Sequence, residues 1–172
     1  MRLQGTVWRA HNPRWSFAPE SGDGAALHGG RFNRIGSPAL YTSLRFETAW
    51  LEAQQGFAFK VQPLTLCAYA VDCADLADLT DPGTCRELRV EPADLACPWE
   101  YLLALGQMPP SWLLADRLAA AGCAGLQAPS RAPGATPFDL NVVFWRWEAV
   151  PPHQVKVIDP ERRLPRNPLS WR

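Results

Sequence analysis

The sequence predicts one domain of the mixed α/β (α+β) class. The chain has 172 residues, of which 47% are hydrophobic and 20% charged, and a chain of this size buries roughly 70% of its unfolded surface around one core. Apolar residues alternate in some segments, as in strands, and recur at helical spacing in others. Seventeen prolines and twelve glycines divide the chain into short elements, which excludes a bundle of long helices.

The N-terminal part predicts strands separated by a long loop. A short strand is expected at 3–9. Residues 10–29 are rich in proline, glycine and serine and show neither periodicity, so they predict an irregular loop. Two more strands, at 31–33 and 39–41, are expected on either side of a turn at 35–38.

A helix is predicted at 45–55, with Ser43 as its N-cap and Gly56 as its stop. Apolar residues recur there at helical spacing and form one stripe: Phe46, Ala49, Trp50 and Ala53. Glu52 falls off the centre of this stripe.

The rest of the chain predicts one more long helix and four strands. The first strand is expected at 64–71, and the helix at 111–121 lies between a proline pair and Gly122. Three late strands are expected at 124–128, 141–147 and 154–158.

Two segments stand out by charge. Residues 72–100 hold eight acidic residues and two arginines, a net charge of −6, and predict short helical turns and loops at the surface. Residues 161–172 hold four arginines and one glutamate, a net charge of +3, and predict an irregular basic tail. The domain is therefore expected to span 1–160.

Composition excludes several classes of function. Seventeen basic residues balance seventeen acidic ones, so direct electrostatic binding of nucleic acid is not expected. The apolar runs are shorter than the ~20 residues of a membrane helix, and the N-terminus has no apolar signal segment. The five cysteines and three histidines are scattered, which predicts free thiols and no metal site. These features together predict a cytoplasmic protein.

Common catalytic and nucleotide-binding motifs are missing from the sequence. It contains no phosphate loop, no G-x-S-x-G elbow and no H-E-x-x-H helix. Residues 22–27 approach G-x-G-x-x-G but lack its third glycine and its strand–helix context. A Rossmann nucleotide site is therefore not expected.

Isolated polar residues in apolar or glycine-rich surroundings are the remaining candidates. They are Arg9, Arg31, Tyr41, Glu52, Ser130 and Asn141. Each has an ordinary structural interpretation: a loop arginine is usually solvated, a helix glutamate usually lies at the surface, Tyr41 fits a core, and Asn141 fits a strand cap.

The order of these residues carries more information. The pattern W-R…G-G-R-F-N-x-x-G-x-x-A-L-Y-T-S…E-T-A-W-L-E…G-L-Q-A-P-S-R…N-V-V-F resembles the RES domain family from Trp8 to Phe144. The segment from Gly29 to Glu52 is the most specific part. Phe32 stands where many members have tryptophan, and 72–107 has no recognisable family motif.

The resemblance implies the toxin of a type II toxin–antitoxin pair with a fold like that of ADP-ribosyltransferases. Such a protein acts on NAD⁺ as its substrate, cleaves the nicotinamide–ribose bond, and is inhibited by an antitoxin of the Xre helix-turn-helix type. By the same resemblance Arg31, Tyr41, Glu52 and Ser130 form the site, and Arg9 and Asn141 are weaker additions. A homodimer or a larger toxin–antitoxin assembly is compatible with it.

The residue types suit that chemistry. An arginine fork binds phosphate oxygens in pairs, which predicts Arg31 as the pyrophosphate ligand with Arg9 in support. The Tyr41 ring offers a face to the cationic nicotinamide. A carboxylate stabilises the positive charge that develops on ribose, a role for Glu52. Ser130 is expected to position ribose or carboxamide.

Three functions remain open. Water or inorganic phosphate accepts the ADP-ribose in the preferred one, and nicotinamide leaves as a neutral molecule without a metal. In the second, the chain is a mono-ADP-ribosyltransferase that modifies a protein target. In the third, it is a non-catalytic module that binds a nucleotide or peptide.

Overall fold

The computed structural model describes residues 1–54 and 63–171, and this part of the chain contains seven strands and six helices. The strands are β1 (Leu3–His11), β2 (Leu40–Ser43), β3 (Thr65–Cys73), β4 (Leu76–Asp78), β5 (Gly125–Pro129), β6 (Leu140–Phe144) and β7 (His153–Val157). The helices are α1 (Asp23–His28), α2 (Phe46–Ala53), α3 (Pro82–Glu87), α4 (Pro92–Ala96), α5 (Trp99–Ala104) and α6 (Pro110–Ala120). Two 3₁₀ turns lie at Pro13–Trp15 and Pro168–Trp171.

All seven strands form one sheet in the order β4-β5-β6-β2-β1-β3-β7. The pairs are antiparallel except for β4 with β5. β1 pairs with β3 along its whole length, but among the described residues it opposes β2 at one position, Trp8 with Ser43. The sheet is therefore two well-paired halves that separate beyond Trp8.

The core lies on both faces of the sheet. Successive β6 residues alternate between two clusters, because side chains along a strand point to opposite faces. Val143 packs with Leu95 and Leu118 from the helices on one face. Val142 packs with Val7 and other strand residues on the second face. The mixed α/β class that the sequence predicts is thus confirmed.

Most predicted elements lie close to where the sequence placed them. The first strand extends two residues past its predicted end, to His11. The helix expected at 111–121 spans Pro110–Ala120, with Pro110 at its first turn. The strand expected at 141–147 ends at Phe144, because the chain turns there and the amides of Trp145 and Arg146 both donate to the Ala124 carbonyl.

Two predictions in the N-terminal part are wrong. The segment 10–29 contains helix α1 and a 3₁₀ turn, which are too short to show a period in the sequence. Residues 31–33 are no strand but a tight turn, since the backbones of Gly30 and Asn33 bond to each other.

The predicted cap of α2 is also wrong, and its predicted apolar stripe is right only in part. Ser43 ends β2, and its hydroxyl bonds across the sheet, while Arg45 holds the N-cap position without a side-chain cap. The buried residues of α2 are Thr48 and Ala49, whereas Phe46 is 51% exposed. The predicted stop at Gly56 lies outside the described residues.

The acidic segment 72–100 contains short helices, as the sequence predicts, but it does not lie wholly at the surface. It contributes strand β4, helices α3 and α4, and buried Leu79, Val90 and Leu95 to the core. Its carboxylates lie outside this core, and Asp81 caps α3 by accepting from the Thr84 amide (2.7 Å).

The predicted tail begins close to the domain. Leu164 packs against the strand cluster, and its amide donates to Asp159. The boundary at 160 remains a prediction. All five cysteines are unpaired, with Cys67, Cys73 and Cys97 buried and the other two half-buried.

Candidate active site

A cleft opens where the two halves of the sheet separate. It consists of two hollows, which we call the first hollow (about 280 Å³) and the second hollow (about 320 Å³). Four of the residues predicted from the sequence line both: Arg9, Tyr41, Glu52 and Asn141. The two hollows therefore meet at these side chains.

Glu52 lies at this meeting point because of where it falls on α2. It follows the buried Thr48 by four residues and Ala49 by three, so it lies on the helix face that packs on the sheet. Its Oε1 accepts from the Ser130 hydroxyl and from the Asn141 amide Nδ2, both at 2.5 Å. Among the described residues Oε2 has no hydrogen-bond partner. One oxygen is fixed and the other is left for a ligand.

The partners of Glu52 are themselves held in place. The Ser43 hydroxyl donates to Asn141 Oδ1 (2.7 Å), which orients the Asn141 amide with its Nδ2 toward Glu52. Ser43 and Asn141 face each other on β2 and β6. Ser130 is buried just after β5, and its amide donates to the Asp139 carbonyl.

A second contact keeps α2 in register with the loop after β5. Thr48 donates to the Asp139 carboxylate (2.5 Å), which also accepts from the Thr136 amide and hydroxyl. These hydrogen bonds lower the pKa of Asp139 to about 2, and the one from Thr48 contributes most to the shift. Asp139 thus joins the helix that carries Glu52 to the loop that carries Ser130.

The Tyr41 hydroxyl is used within the protein. It donates to Asn33 Oδ1 (2.8 Å) and accepts from the Phe32 amide (2.9 Å), and burial raises its pKa. A Cβ at position 30 would lie 2.4 Å from this hydroxyl, so the chain needs Gly30 for the approach of Tyr41.

Two tryptophans hold the turn that presents Arg31. The Trp112 indole donates to the Gly30 carbonyl and the Trp145 indole to the Phe32 carbonyl, both at 2.7 Å. Asn33 adds three hydrogen bonds from its Nδ2 to nearby carbonyls. The two indole N–H groups therefore fix the backbone on either side of Arg31.

Arg31 and Arg9 share a pattern of contacts. Nη1 of Arg31 donates to the carbonyl oxygens of Cys97 (2.5 Å) and Leu95 (3.4 Å). Nη1 of Arg9 donates to the carbonyls of Pro19 and Ser21. Neither has a carboxylate partner among the described residues, so both positive charges remain uncompensated at the cleft.

The charge of the cleft is therefore positive although the whole chain is neutral. The second hollow is lined by Arg9, Arg31 and Arg131, with Glu52 as the acidic residue. This imbalance favours an anionic ligand. Each arginine retains donors that can form pairs of hydrogen bonds with phosphate oxygens.

The structure thus brings five predicted residues to the cleft wall and places Ser130 behind Glu52. Sequence reasoning missed others that line it. His11 in β1 belonged to no motif, and Trp8 and Arg131 appeared only as letters of the family pattern, without a role. Ser43 was interpreted as a helix cap, since a serine shortly before a helix fits that role equally well.

The described residues contain neither a metal-binding cluster nor a membrane-spanning helix. No three side chains from histidine, cysteine, aspartate or glutamate lie together in a way that would bind a metal ion. No helix there is both long and apolar enough to cross a membrane.

Comparison with known proteins identifies the family. Residues 6–167 match the family model of the RES domain, and the chain belongs to that family. A solved structure with a similar fold is the crystal structure of the M. tuberculosis MbcT–MbcA toxin–antitoxin complex, with a TM-score of 0.62 and 19% identity over 92% of this chain and 84% of that one. At this identity the likeness establishes the fold alone. No curated protein sequence matches the chain.

Proposed function

We propose that this chain is the toxin of a type II toxin–antitoxin pair and that it cleaves the nicotinamide–ribose bond of NAD⁺. Membership of the RES domain family supports the proposal, as does a structural neighbour that is a toxin–antitoxin complex. The observation that carries it is Glu52, which Ser130 and Asn141 hold by one oxygen where two hollows meet.

Binding follows from the charge of the cleft. NAD⁺ has a pyrophosphate with two negative charges, and Arg31 and Arg131 line the second hollow without carboxylate partners among the described residues. Nη1 of Arg31 is held by carbonyl oxygens, so the rest of its guanidinium is oriented before the ligand arrives. The pyrophosphate therefore occupies the second hollow.

Catalysis is assigned to Glu52. As the C1′–N bond of the nicotinamide ribose breaks, both electrons of the bond go to the ring nitrogen, and positive charge develops on the ribose. A carboxylate fixed beside the ribose stabilises that charge more than it stabilises the ground state. Nicotinamide leaves neutral, so the leaving group needs no proton.

Water or inorganic phosphate then attacks C1′. With water the products are ADP-ribose, nicotinamide and one proton, and with phosphate they are ADP-ribose-1″-phosphate and nicotinamide. We propose these acceptors ahead of a protein side chain. By analogy with its family, the cognate inhibitor is an antitoxin of the Xre helix-turn-helix type that closes the cleft in the cytoplasm.

The test is a product assay on the purified chain. NAD⁺ is incubated with the chain with and without phosphate, and nicotinamide and the ribosyl product are identified by mass spectrometry. Glu52→Gln keeps the size of the side chain and serves as the inactive control. Labelled protein in place of free product would identify the chain as a mono-ADP-ribosyltransferase. Intact NAD⁺ in every mixture, without labelled protein, would contradict the proposal and favour a non-catalytic binding module.

A further inference from the structure

A third hollow of about 580 Å³ adjoins the second one. It shares Pro129 and Arg131 with the second hollow and no residue with the first. The three hollows therefore follow one another, with Glu52 between the first and the second and Arg131 between the second and the third. The proposed function leaves the third hollow without a role.

The walls of the third hollow combine apolar and basic residues, most of them from the acidic segment 72–100. The apolar ones are Leu79, Pro82, Val90, Pro92, Leu95 and Pro129. Arg31 of the second hollow is joined to this wall, because its Nη1 donates to the Leu95 carbonyl (3.4 Å). Apolar walls suit a flat ring, and the arginines beside them suit an anionic group attached to that ring.

The arginines of the third hollow are available to a ligand. Arg86, Arg89 and Arg131 are exposed, and within the described chain their guanidinium groups donate no hydrogen bond and form no ion pair. Glu91 is the one acidic residue in the lining. The hollow is therefore positive, although the segment that forms most of it has a net charge of −6.

Arg89 has a backbone conformation that favours glycine. It follows α3 with a φ of 51°, in the left-handed region where the end of a helix usually has glycine. The Val90 amide closes the helix end by donating to the Cys85 carbonyl (2.8 Å). The Arg117 guanidinium donates to the carbonyls of Leu88 (2.7 Å) and Arg89 (3.2 Å). The turn is thus fixed by groups other than the Arg89 side chain, which stays free to bind a ligand.

The order of the hollows matches the order of groups in a nicotinamide dinucleotide, a step that rests on the proposed function. With the pyrophosphate on Arg31 and the reacting ribose beside Glu52, the cationic nicotinamide ring lies in the first hollow, where Arg9 is the one arginine. Adenosine then extends from the pyrophosphate toward the third hollow. Its adenine ring suits the apolar walls and the guanidinium planes. NAD⁺ itself has no anionic group there for Arg86 and Arg89 to bind.

We propose that the third hollow binds the adenosine end of the dinucleotide and that Arg86 and Arg89 bind a phosphate group on the 2′-oxygen of its ribose. The substrate class then includes NADP⁺ as well as NAD⁺. Arginine suits this phosphate because its planar fork forms paired hydrogen bonds with phosphate oxygens. Arg86 and Arg89 are specificity-determining residues, and Glu52 remains the catalytic one.

The experiment measures binding of three probes to the full chain by calorimetric titration: ADP-ribose, 2′-phospho-ADP-ribose and inorganic phosphate. The variant is Arg89→Gly, which suits the left-handed backbone. The matched control is Arg162→Gly, because Arg162 is also exposed, also has a positive φ (53°) and lines none of the three hollows. Wild type and R162G are expected to bind 2′-phospho-ADP-ribose about tenfold more tightly than ADP-ribose, and R89G less than threefold more tightly.

Stability distinguishes this role from a structural one. Since glycine relieves the left-handed backbone at position 89, R89G is expected to melt at the same temperature as R162G or higher. Arg86→Gln tests the same phosphate without a change in the turn, and it is expected to lower the preference as R89G does.

Three results would overturn the inference: equal binding of the two ribosyl probes by wild type, a preference that both R89G and R86Q retain, or inorganic phosphate that binds as tightly as 2′-phospho-ADP-ribose. The last result would show an anion site that does not recognise adenosine. These titrations need no turnover, so NAD⁺ that persists in the product assay would contradict the proposed function separately.

Discussion

The two hollows of the cleft share four residues and differ in what each adds to them. The first adds uncharged groups, among them the imidazole of His11 and the hydroxyl of Ser43. The second adds Arg31 and Arg131, with guanidinium groups that have no carboxylate partner in the described chain. A ligand with one anionic and one neutral or cationic end therefore has a preferred direction in the cleft. Glu52 lies where those two ends join.

This difference has its origin in the sheet. β1 is paired along its length with β3, and β2 with β6, but β1 and β2 oppose each other at one position in the described residues. Where they separate, Arg9 and His11 on β1 line the first hollow. Arg31 and Arg131, which line the second hollow and not the first, come from the other half, on turns held by Trp112, Trp145 and Asp139.

The largest effect is expected at the boundary between the hollows. Glu52→Gln removes the charge that stabilises the developing cation and is expected to lower kcat/KM for NAD⁺ by about 10²–10³-fold. Steady-state release of nicotinamide measures it. Glu47→Gln, on the exposed face of the same helix, is the matched control. An equal loss in both variants would show that the effect is not specific to the cleft.

The second-largest effect is expected at Arg31, which lines the second hollow and not the first. Arg31→Lys keeps the charge but removes the planar fork, and is expected to raise KM for NAD⁺ by about 10-fold while the affinity for free nicotinamide stays unchanged. Calorimetric titration with ADP-ribose measures binding of the pyrophosphate end, and titration with nicotinamide measures binding of the ring. Arg162→Lys, exposed and outside both hollows, controls for general charge effects. Weaker nicotinamide binding in R31K would place the ring in the second hollow.

A smaller effect is expected for the side chain behind Glu52. Ser130→Ala removes one of two donors to Oε1 and is expected to lower kcat about 5–10-fold, with KM little changed. In a double-mutant cycle, adding Ser130→Ala to E52Q is expected to lower kcat almost no further, because the Ser130 hydroxyl acts through the Glu52 carboxylate that E52Q has already removed. Additive losses would mean that Ser130 acts independently of Glu52.

The Tyr41 hydroxyl is expected to matter more for stability than for turnover. Tyr41→Phe leaves the Phe32 amide and Asn33 Oδ1 without their partner, and is expected to destabilise the fold by about 1–3 kcal/mol. Denaturant unfolding measures the free energy. If Y41F retains full stability and loses turnover, the hydroxyl contacts substrate rather than the Asn33 turn.

The smallest effect is a pH dependence of the stability of the fold, caused by His11 in the first hollow. The folded-state pKa of His11 is lowered from 6.5 to about 4, so the unfolded chain binds a proton that the folded chain does not. The contribution of His11 to stability is therefore full above pH 6.5 and declines as the pH falls toward 4. Thermal unfolding from pH 7 to pH 4 is expected to show a shallower decline in H11L. Parallel curves would mean that the imidazole is hydrated.

The sequence predicts the longer helices and strands of this molecule better than the short ones, for physical reasons. Helix α6 and the longer strands show their periods in the sequence and were predicted within a few residues. The strand β4, three residues long, and helices α3 and α4, five to six residues long, contain too few residues to show a period. Their burial depends on the sheet that they join, which local patterns do not specify.

The site shows the same limit. Glu52, Ser130 and Asn141 are separated by up to 89 residues, and their convergence was expected from the family resemblance, not from spacing. The side of α2 that faces the sheet was predicted only in part: Ala49 is buried as expected, but Thr48 is the second buried residue and Phe46 is exposed. His11 gave no signal in the sequence, since an unpaired imidazole is recognised only when its surroundings are known.

The most direct measurement is a crystal structure of the E52Q variant with NAD⁺. The nicotinamide ring is expected in the first hollow and the pyrophosphate on Arg31, with C1′ of the nicotinamide ribose beside residue 52. A dinucleotide bound in the reverse direction, or bound away from this cleft, would contradict the account.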